Sequence, residues 1–397
     1  MNGRCITVGL VGAGYACHLH CNGYRKVYGA TVRLKKICDV DEVKARKAAA
    51  KFEIEETCSN VEEILDDRQI DVIDICTPPF SHSQMIKDVM SAGKHVICEK
   101  PLTGYFGRGD DPEPIGEKVS KMAMYKHIDE EIRALKAEVE HSDRLFMYAE
   151  NYVYAPVVQK AAEIIRNKKS RILFVKGEES LAGSSSPVAG FWNKTGGGSL
   201  IRVGCHPLSG ILWLKRVEAL ARGENITVEK VCCDTGRTTS GLKGRGKGYI
   251  KADPVDVEDL ATLTLTFSDG SKALVIAADT VLGGTNNYIE IYANDASMIC
   301  RLTPPGNMDT YFLDGNGLDD VAIAEMLPTY AGWQHVFVAD EVLRGYTGEL
   351  QDFMECILYD RKPISDFDLA CETIRTIYGA YLSAEEGRTV FLNGPQL

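Results

Sequence analysis

The 397-residue chain lacks any run of about 18 apolar residues, the shortest span expected of a membrane-crossing helix, so no such helix is predicted. It also lacks a basic tract, and its net charge is −11. No nucleic-acid partner is expected, because phosphate contacts need clustered Lys and Arg side chains. Residues 1–15 place glycines within their apolar run and have no cleavage-type site, which argues against a signal peptide.

Pairs of the form C-x-x-C are also absent, although the chain has 13 cysteines. That spacing does not support a zinc site, and no metal is expected. The cysteines are odd in number and lie mostly inside apolar runs. Without a secretion signal, this pattern predicts buried, reduced thiols and a cytoplasmic protein.

What the sequence does contain, over residues 1–150, is an alternation of short apolar runs with helical patterns. Nearly all-apolar strands between helices predict a parallel sheet that is covered on both faces. The segment 104–124 breaks this rhythm, because it is rich in Gly, Pro and charge. It is predicted to be a surface insertion, either a lid or a contact with another subunit.

From about residue 171 the runs become β-rich and alternating, with a hairpin signal at "FSDGSKA", and helical patterns follow at 206–220, 346–361 and 366–387. These features predict a large, mainly antiparallel sheet. The sequence is therefore interpreted as an α/β protein of two domains. The first domain spans 1–150, including the insertion, and the second, an α+β domain, spans 151–397.

The stretch "LVGAGYACHLH" at residues 10–20 holds most of a dinucleotide-binding fingerprint, G-x-G-x-x-G. A strand pattern precedes it and a helix pattern follows, which is the context that the fingerprint requires. Gly12 permits the tight turn, and Gly14 lets the backbone approach a pyrophosphate. Cys17 occupies the third glycine position, where only a small side chain is needed.

The helix that starts at Tyr15 and Ala16 would offer N–H groups and a partial positive charge to that pyrophosphate. Asp39 ends the second strand, where its carboxylate can bind ribose hydroxyls and would repel a 2′-phosphate. Val40 follows it instead of an arginine. NAD is therefore predicted as the cofactor, in preference to NADP.

Three further motifs follow the loop in order: Thr77-Pro78-Pro79 with His82, Glu99-Lys100-Pro101, and a triple glycine at 196–198 before His206. With the loop, they resemble the Gfo/Idh/MocA family of glucose–fructose oxidoreductase and inositol dehydrogenase over nearly the whole chain. The resemblance implies that 1–150 form a Rossmann NAD-binding domain and that 151–397 form a domain for substrate binding and oligomerisation. That second domain has a large open sheet, whose outer face commonly forms homodimers or homotetramers. Members mostly transfer a hydride between NAD(P) and a hydroxyl carbon of a sugar, polyol or glycoside.

The resemblance also implies roles for individual residues. Lys100 and His206 are the expected catalytic pair: the ammonium binds the substrate oxygen, and the imidazole acts as general base. The expected cofactor contacts beyond the loop are Thr77, Pro78, His82, Glu99 and Lys100. The family pattern also places substrate contacts at Asn151, Tyr152 and His206. Arg202, Trp333 and His335 are expected to contact substrate because of their side-chain chemistry.

Arg202 is a departure from the family pattern D-x-G-x-H, because it stands where the aspartate is usual; Ser209 likewise replaces a second aspartate. Arginine cannot serve as a base. Its guanidinium suits a carboxylate, which could belong to the substrate or to a protein side chain such as Glu150 or Glu178.

The sequence thus predicts an NAD-dependent dehydrogenase that acts on a small-molecule sugar, glycoside or cyclic polyol. One alternative, motivated by Arg202, is glycoside cleavage or sugar–sugar oxidoreduction through a transient keto-sugar, with NAD tightly bound and recycled. A third interpretation, a non-catalytic NAD-binding sensor, is disfavoured because Lys100 and His206 are retained.

Overall fold

A computed structural model describes residues 5–242, 246, 248–303, 308–318, 321, 323 and 329–392. The strands in it are β1 Cys5–Val11, β2 Thr31–Cys38, β3 Glu56–Cys58, β4 Val72–Ile75, β5 His95–Glu99, β6 Phe146–Ala149, β7 Ile172–Ser180, β8 Val228–Gly236, β9 Leu260–Phe267, β10 Lys272–Ala278, β11 Asn286–Ala293, β12 Ser297–Arg301, β13 Asp309–Phe312, β14 Gly332–His335 and β15 Val390–Phe391. The helices are α1 Tyr15–Tyr24, α2 Glu42–Phe52, α3 Glu62–Leu65, α4 His82–Ser91, α5 Ile115–Lys118, α6 Lys121–His141, α7 Asn151–Tyr154, α8 Pro156–Lys168, α9 Trp192–Thr195, α10 Cys205–Arg222, α11 Asp340–Leu343, α12 Tyr346–Tyr359 and α13 Phe367–Glu386.

The first sheet has six strands in the order β3-β2-β1-β4-β5-β6, all parallel. Its central strands are almost wholly buried, as their continuous apolar sequences require. The prediction of a parallel sheet is confirmed. The strand order reverses between β1 and β4, and ligands bind such sheets at the carboxyl ends of the strands at this point.

The second sheet has seven strands in the order β12-β11-β7-β10-β9-β8-β15. Only β7 and β10 pair in parallel; the other neighbours are antiparallel, which confirms the predicted sheet. Helix α10 covers the inner face. It approaches β7 so closely at Gly177 that a Cβ there would lie 2.8 Å from Pro207 Cβ.

The C-terminal helices return to the first sheet. Helix α12 packs against α1, where a Cβ at Gly23 would lie 2.7 Å from Leu350 Cδ1. Beside α13, the amide of Tyr148 in β6 donates to the Ser365 carbonyl at 3.0 Å. These contacts join the two halves of the chain, and the division at residue 150 stays a prediction.

The segment 104–124 is attached to the second half of the same chain. The Tyr105 amide donates to the Tyr378 hydroxyl at 2.6 Å, and the Gly116 amide donates to Asp256 Oδ2 at 3.0 Å. A Cβ at Gly116 would lie 2.0 Å from the Asp256 carbonyl oxygen, so the close approach requires glycine. The segment therefore links the two halves within one chain, and its predicted role as a lid or subunit contact stays a prediction.

The expectations of reduced cysteines and of no membrane-crossing helix can be compared with the described residues. None of the thirteen cysteines forms a disulfide, and all are buried except Cys5 and Cys232. A search of the described helices found none with the length and hydropathy that a membrane crossing requires.

Candidate active site

The nucleotide loop is held by the ends of three neighbouring strands. The Gly12 amide donates to the Cys38 carbonyl at 2.8 Å. Gly12 has φ 96°, and a Cβ there would lie 2.7 Å from the Cys76 carbonyl oxygen, so this turn requires glycine. Cys17 is completely buried. A small side chain is thus accommodated at the third fingerprint position, where the sequence lacks glycine.

A cavity of about 470 Å³ lies at the carboxyl ends of β1, β4 and β5, between the two sheets. Seven residues predicted from the sequence line it: Tyr15, Ala16, Thr77, Glu99, Lys100, Arg202 and His206. Six polar side chains that are not among the predicted site residues also line it: Glu179, Ser184, Ser186, Thr195, Arg344 and Tyr346. The proposed catalytic pair therefore lies in one cavity with the start of the nucleotide-loop helix.

Lys100 follows β5 and precedes a cis peptide bond to Pro101. Its ammonium donates to the Arg202 carbonyl at 2.9 Å, and its amide donates to Glu99 Oε2 at 2.9 Å. Burial opposes the charge, but the carboxylates around it, Glu99 first and then Glu179, raise the pKa of Lys100 above its usual value. The side chain is thus a cation at neutral pH.

His206 stands on the first turn of α10, directly after a π-helical turn at Leu200–Gly204. Such wide turns often occur at functional sites. Its Nδ1 lies 2.7 Å from Glu150 Oε1, and its ring stacks on Tyr152 with centroids 4.9 Å apart. Burial, together with the charges of Lys100 and Arg344, lowers the pKa of His206 well below its usual value. The imidazole is therefore neutral at pH 7.

Glu150 is completely buried at the end of β6. Its Oε2 atom has no hydrogen-bond partner among the described residues. Burial raises the pKa of Glu150 well above its usual value, and the charge of Lys100 opposes this shift. The sequence suggested Glu150 only as a partner for Arg202, whereas the structure pairs it with His206.

Glu99 lies next to the side chain of His20 in α1. His20 Nε2 lies 3.2 Å from Glu99 Oε1, and its Nδ1 lies 2.8 Å from Asp74 Oδ2. Burial opposes protonation, but the two carboxylates raise the pKa of His20 well above its usual value. His20, the last residue of the nucleotide-loop stretch at residues 10–20, thus supports the turn at Glu99 and Lys100.

Arg202 pairs with Asp279, at the end of β10. One guanidinium nitrogen lies 2.6 Å from Asp279 Oδ2, and the two side chains are 17% and 5% exposed. The partner is a protein carboxylate, as one alternative expected, but it is neither Glu150 nor Glu178. Glu178 instead accepts from the Tyr288 hydroxyl at 2.8 Å.

Asn151 and Tyr152 lie behind the cavity wall and do not line it. Both are almost completely buried. The Asn151 amide donates to the Arg344 carbonyl at 2.8 Å, and the Tyr152 hydroxyl donates to Glu179. Their described contacts therefore hold residues of the cavity wall in place.

Three other predicted site residues also lie away from the cavity lining. His82 is buried, with its ring nitrogens 2.8 and 2.9 Å from the carbonyl oxygens of Pro101 and Thr77, so it joins two turns. Trp333 and His335 belong to β14, which among the described residues pairs only with β13, in a separate two-stranded sheet. Trp333 is 75% exposed there. Neither residue contributes to the cavity within this chain.

Known families match both halves of the chain. The family described as "Oxidoreductase family, NAD-binding Rossmann fold" matches residues 6–127, and the "GFO/IDH/MocA C-terminal domain" matches residues 158–299. The chain belongs to the Gfo/Idh/MocA family. It is therefore an NAD-binding oxidoreductase of the group that includes sugar and polyol dehydrogenases.

Several individual proteins are similar to this family member. A levoglucosan dehydrogenase of Pseudarthrobacter phenanthrenivorans is 27% identical over 74% of this chain and 73% of its own length. A D-apiose dehydrogenase of Paraburkholderia graminis is 22% identical over 96% of this chain and 88% of its own. Among solved structures, GenD2 from gentamicin A biosynthesis, in complex with NAD, has a TM-score of 0.78 at 21% identity, covering 99% and 98% of the two chains.

The residues of this Gfo/Idh/MocA protein fit NAD. A Cβ at Gly14 would have no atom of the described chain within 4 Å, so the loop leaves space beside its backbone. Asp39 accepts from the Ala13 amide at 2.7 Å and from the Asp41 amide at 2.8 Å. A carboxylate has about four acceptor positions, so two remain for ribose hydroxyls.

The protein also contains a group of three buried side chains of the types that bind metal ions. Donor atoms of Glu150, Cys205 and His206 lie within 4.8 Å of one another. Metal binding would require the Cys205 thiolate, but burial raises the pKa of that thiol. The expectation that the protein uses no metal stays a prediction.

Proposed function

We propose that this oxidoreductase transfers a hydride between NAD and a hydroxyl carbon of a sugar, glycoside or cyclic polyol. The observation that carries the proposal is the placement of Lys100 and His206 in one cavity at the nucleotide loop. Relatives named for levoglucosan, D-apiose and myo-inositol support this substrate class. The specific sugar is left open.

In the proposed reaction, NAD would supply the acceptor for the hydride that leaves the hydroxyl carbon. The Lys100 ammonium binds the substrate oxygen and stabilises the negative charge that develops on it. His206 Nε2 takes the hydroxyl proton, which leaves a carbonyl on the substrate. Gly12, Gly14 and Asp39 would hold the cofactor.

Glu150 is proposed as the positioning residue for His206. If Nδ1–H of the imidazole donates to Glu150 Oε1 across 2.7 Å, then Nε2 keeps its lone pair for the proton. The family aspartate is replaced by Arg202, so another carboxylate must orient the base. Glu150 supplies it from β6.

The experiment is a screen of sugars, uronates, inositols and glycosides for NADH formation, followed by the Lys100→Met variant on every active substrate. The variant should bind NAD but lose at least about 100-fold in turnover. Lys126→Met, in the exposed part of α6, is the matched control. Unchanged turnover in Lys100→Met would exclude the proposed role.

A homodimer or homotetramer is proposed through the outer face of the second sheet. Leu173, Tyr292 and Ile299 expose 53%, 37% and 51% of their surfaces on neighbouring strands. Exposed apolar side chains grouped in this way are typical of protein interfaces. Light scattering on Ile299→Arg should give smaller particles than the wild type; an unchanged mass would reject this face.

A further inference from the structure

A second cavity, of about 440 Å³, adjoins the active-site cavity on the side away from the nucleotide loop. The two cavities share Ser184, Ser186, Ala189 and Arg202 in their walls. Each falls within the range of about 300–1,000 Å³ that is typical of ligand pockets. The active-site cavity must also receive the nicotinamide, so a substrate larger than one ring would extend past Arg202.

The wall of the second cavity combines apolar and polar groups. Phe191 is 41% exposed and Val255 is 44% exposed, while Ser185, Lys251 and Asp253 supply polar atoms. A sugar ring presents both C–H faces and hydroxyl groups. An aromatic ring beside hydrogen-bonding side chains therefore suits a glycosyl unit.

Two acidic side chains of this cavity are already engaged by the protein. Asp259 accepts four hydrogen bonds from the amides and hydroxyls of Thr238 and Thr239. Glu258 accepts from two backbone amides and from the Tyr381 hydroxyl. Neither requires a cation from a ligand.

Arg202 is likewise neutralised, by Asp279. A charged ligand is therefore not needed to balance the charges of the side chains in this cavity wall. Asp279 Oδ1, however, is buried and has no hydrogen-bond partner among the described residues. An uncharged hydroxyl group could satisfy this acceptor at the junction of the two cavities.

We propose that the second cavity binds an uncharged glycosyl unit linked to the ring that is oxidised, so that the preferred substrate is a glycoside rather than a free monosaccharide. This inference rests on the proposed function, because it assumes that oxidation occurs beside Lys100 and His206. Phe191 is the stacking surface for the second unit.

The test compares disaccharides such as maltose and cellobiose with glucose, and each active substrate of the screen with its own glycosides. In the wild type, kcat/KM for NADH formation should be at least about tenfold higher for a glycoside than for the free sugar. In Phe191→Ala, the ratio of the two kcat/KM values should fall about tenfold. Val188→Ala, in the same segment but outside both cavity walls, should keep the wild-type ratio.

Calorimetric binding of the same disaccharides to the NAD-loaded protein provides a readout that does not depend on turnover. Equal kcat/KM for sugars and glycosides, with the same ratio in Phe191→Ala, would overturn the glycosyl site and leave the proposed function standing. Saturable disaccharide binding that Phe191→Ala weakens, without NADH formation from any sugar, would support the site and reject the function. Absence of both binding and turnover would overturn both.

Discussion

His206 Nδ1 lies 2.7 Å from Glu150 Oε1, and both side chains are buried. This contact holds the ring through Nδ1, so Nε2 is the nitrogen proposed to take the proton. In the proposed mechanism, Glu150 takes the place of the aspartate that the sequence lacks at position 202.

The first prediction concerns Glu150→Gln, which keeps the size of the side chain but replaces its carboxyl group by an amide. The amide can donate to Nδ1 and so favour the wrong tautomer of His206, in which Nε2 carries the proton. We expect kcat for sugar oxidation to fall about 100-fold or more, with NAD affinity close to that of the wild type. Steady-state kinetics and NAD titration measure the two effects.

Glu150→Asp is the control, because it retains a carboxylate. It should recover part of the lost kcat. If Glu150→Asp and Glu150→Gln were equally slow, a carboxyl group at position 150 would not be what His206 requires.

The second prediction concerns pH. His206 must be neutral to accept a proton, and burial with the charges of Lys100 and Arg344 lowers its pKa well below its usual value. The oxidation rate should therefore rise with pH through that low pKa and be level near neutrality. Replacing Arg344 by Gln removes one positive charge, so the acidic limb of the kcat profile should move to higher pH. An unshifted limb would show that His206 does not control it.

The third prediction concerns the Arg202–Asp279 pair. Arg202→Met leaves the buried Asp279 carboxylate without its cation, which should lower the free energy of unfolding by about 3 kcal/mol at neutral pH. Burial already raises the pKa of Asp279, so the loss should shrink as the pH falls and this carboxyl becomes protonated. Denaturant unfolding at several pH values measures this dependence.

The double variant Arg202→Met/Asp279→Asn tests the same pair, because it removes both charges. It should be more stable than Arg202→Met alone. Wild-type stability in Arg202→Met, combined with a raised KM for uronates only, would instead identify Arg202 as a substrate ligand.

The fourth prediction separates the two glycines of the loop. Gly14→Val places a side chain in open space, so stability should be kept while the Kd for NAD rises at least about tenfold. Gly12→Ala forces a Cβ against the Cys76 carbonyl at φ 96°, so it should lower stability by about 1–3 kcal/mol. Thermal unfolding and NAD titration of both variants measure the difference. Equal stability losses would contradict the assignment of Gly14 to the cofactor.

Local patterns predicted those parts of the protein that depend on neighbouring residues in the sequence. The loop at Gly12 and Gly14 is contiguous, and Lys100 follows a strand that is itself an apolar run. Both could therefore be placed at the carboxyl edge of a sheet from the sequence alone, because residues that follow parallel strands lie at that edge.

Pairings across the chain could not be predicted in this way. His206 and Glu150 are 56 residues apart, and Arg202 and Asp279 are 77 apart. His206 at the start of α10 meets Glu150 after β6, and Arg202 in the preceding turn meets Asp279 after β10, so each pair joins elements that are distant in the sequence. Trp333, an aromatic residue that suggested a sugar platform, lies on a separate hairpin outside the cavity lining, so its predicted substrate contact stays a prediction.

The most direct measurement of the central claim follows deuterium from the hydroxyl carbon of an active sugar. Wild-type protein with NAD should yield NADH that carries the deuterium, with a slower rate than for the undeuterated sugar, and Lys100→Met should yield almost none. NADH without deuterium, or deuterated NADH formed equally fast by Lys100→Met, would contradict hydride transfer at this site.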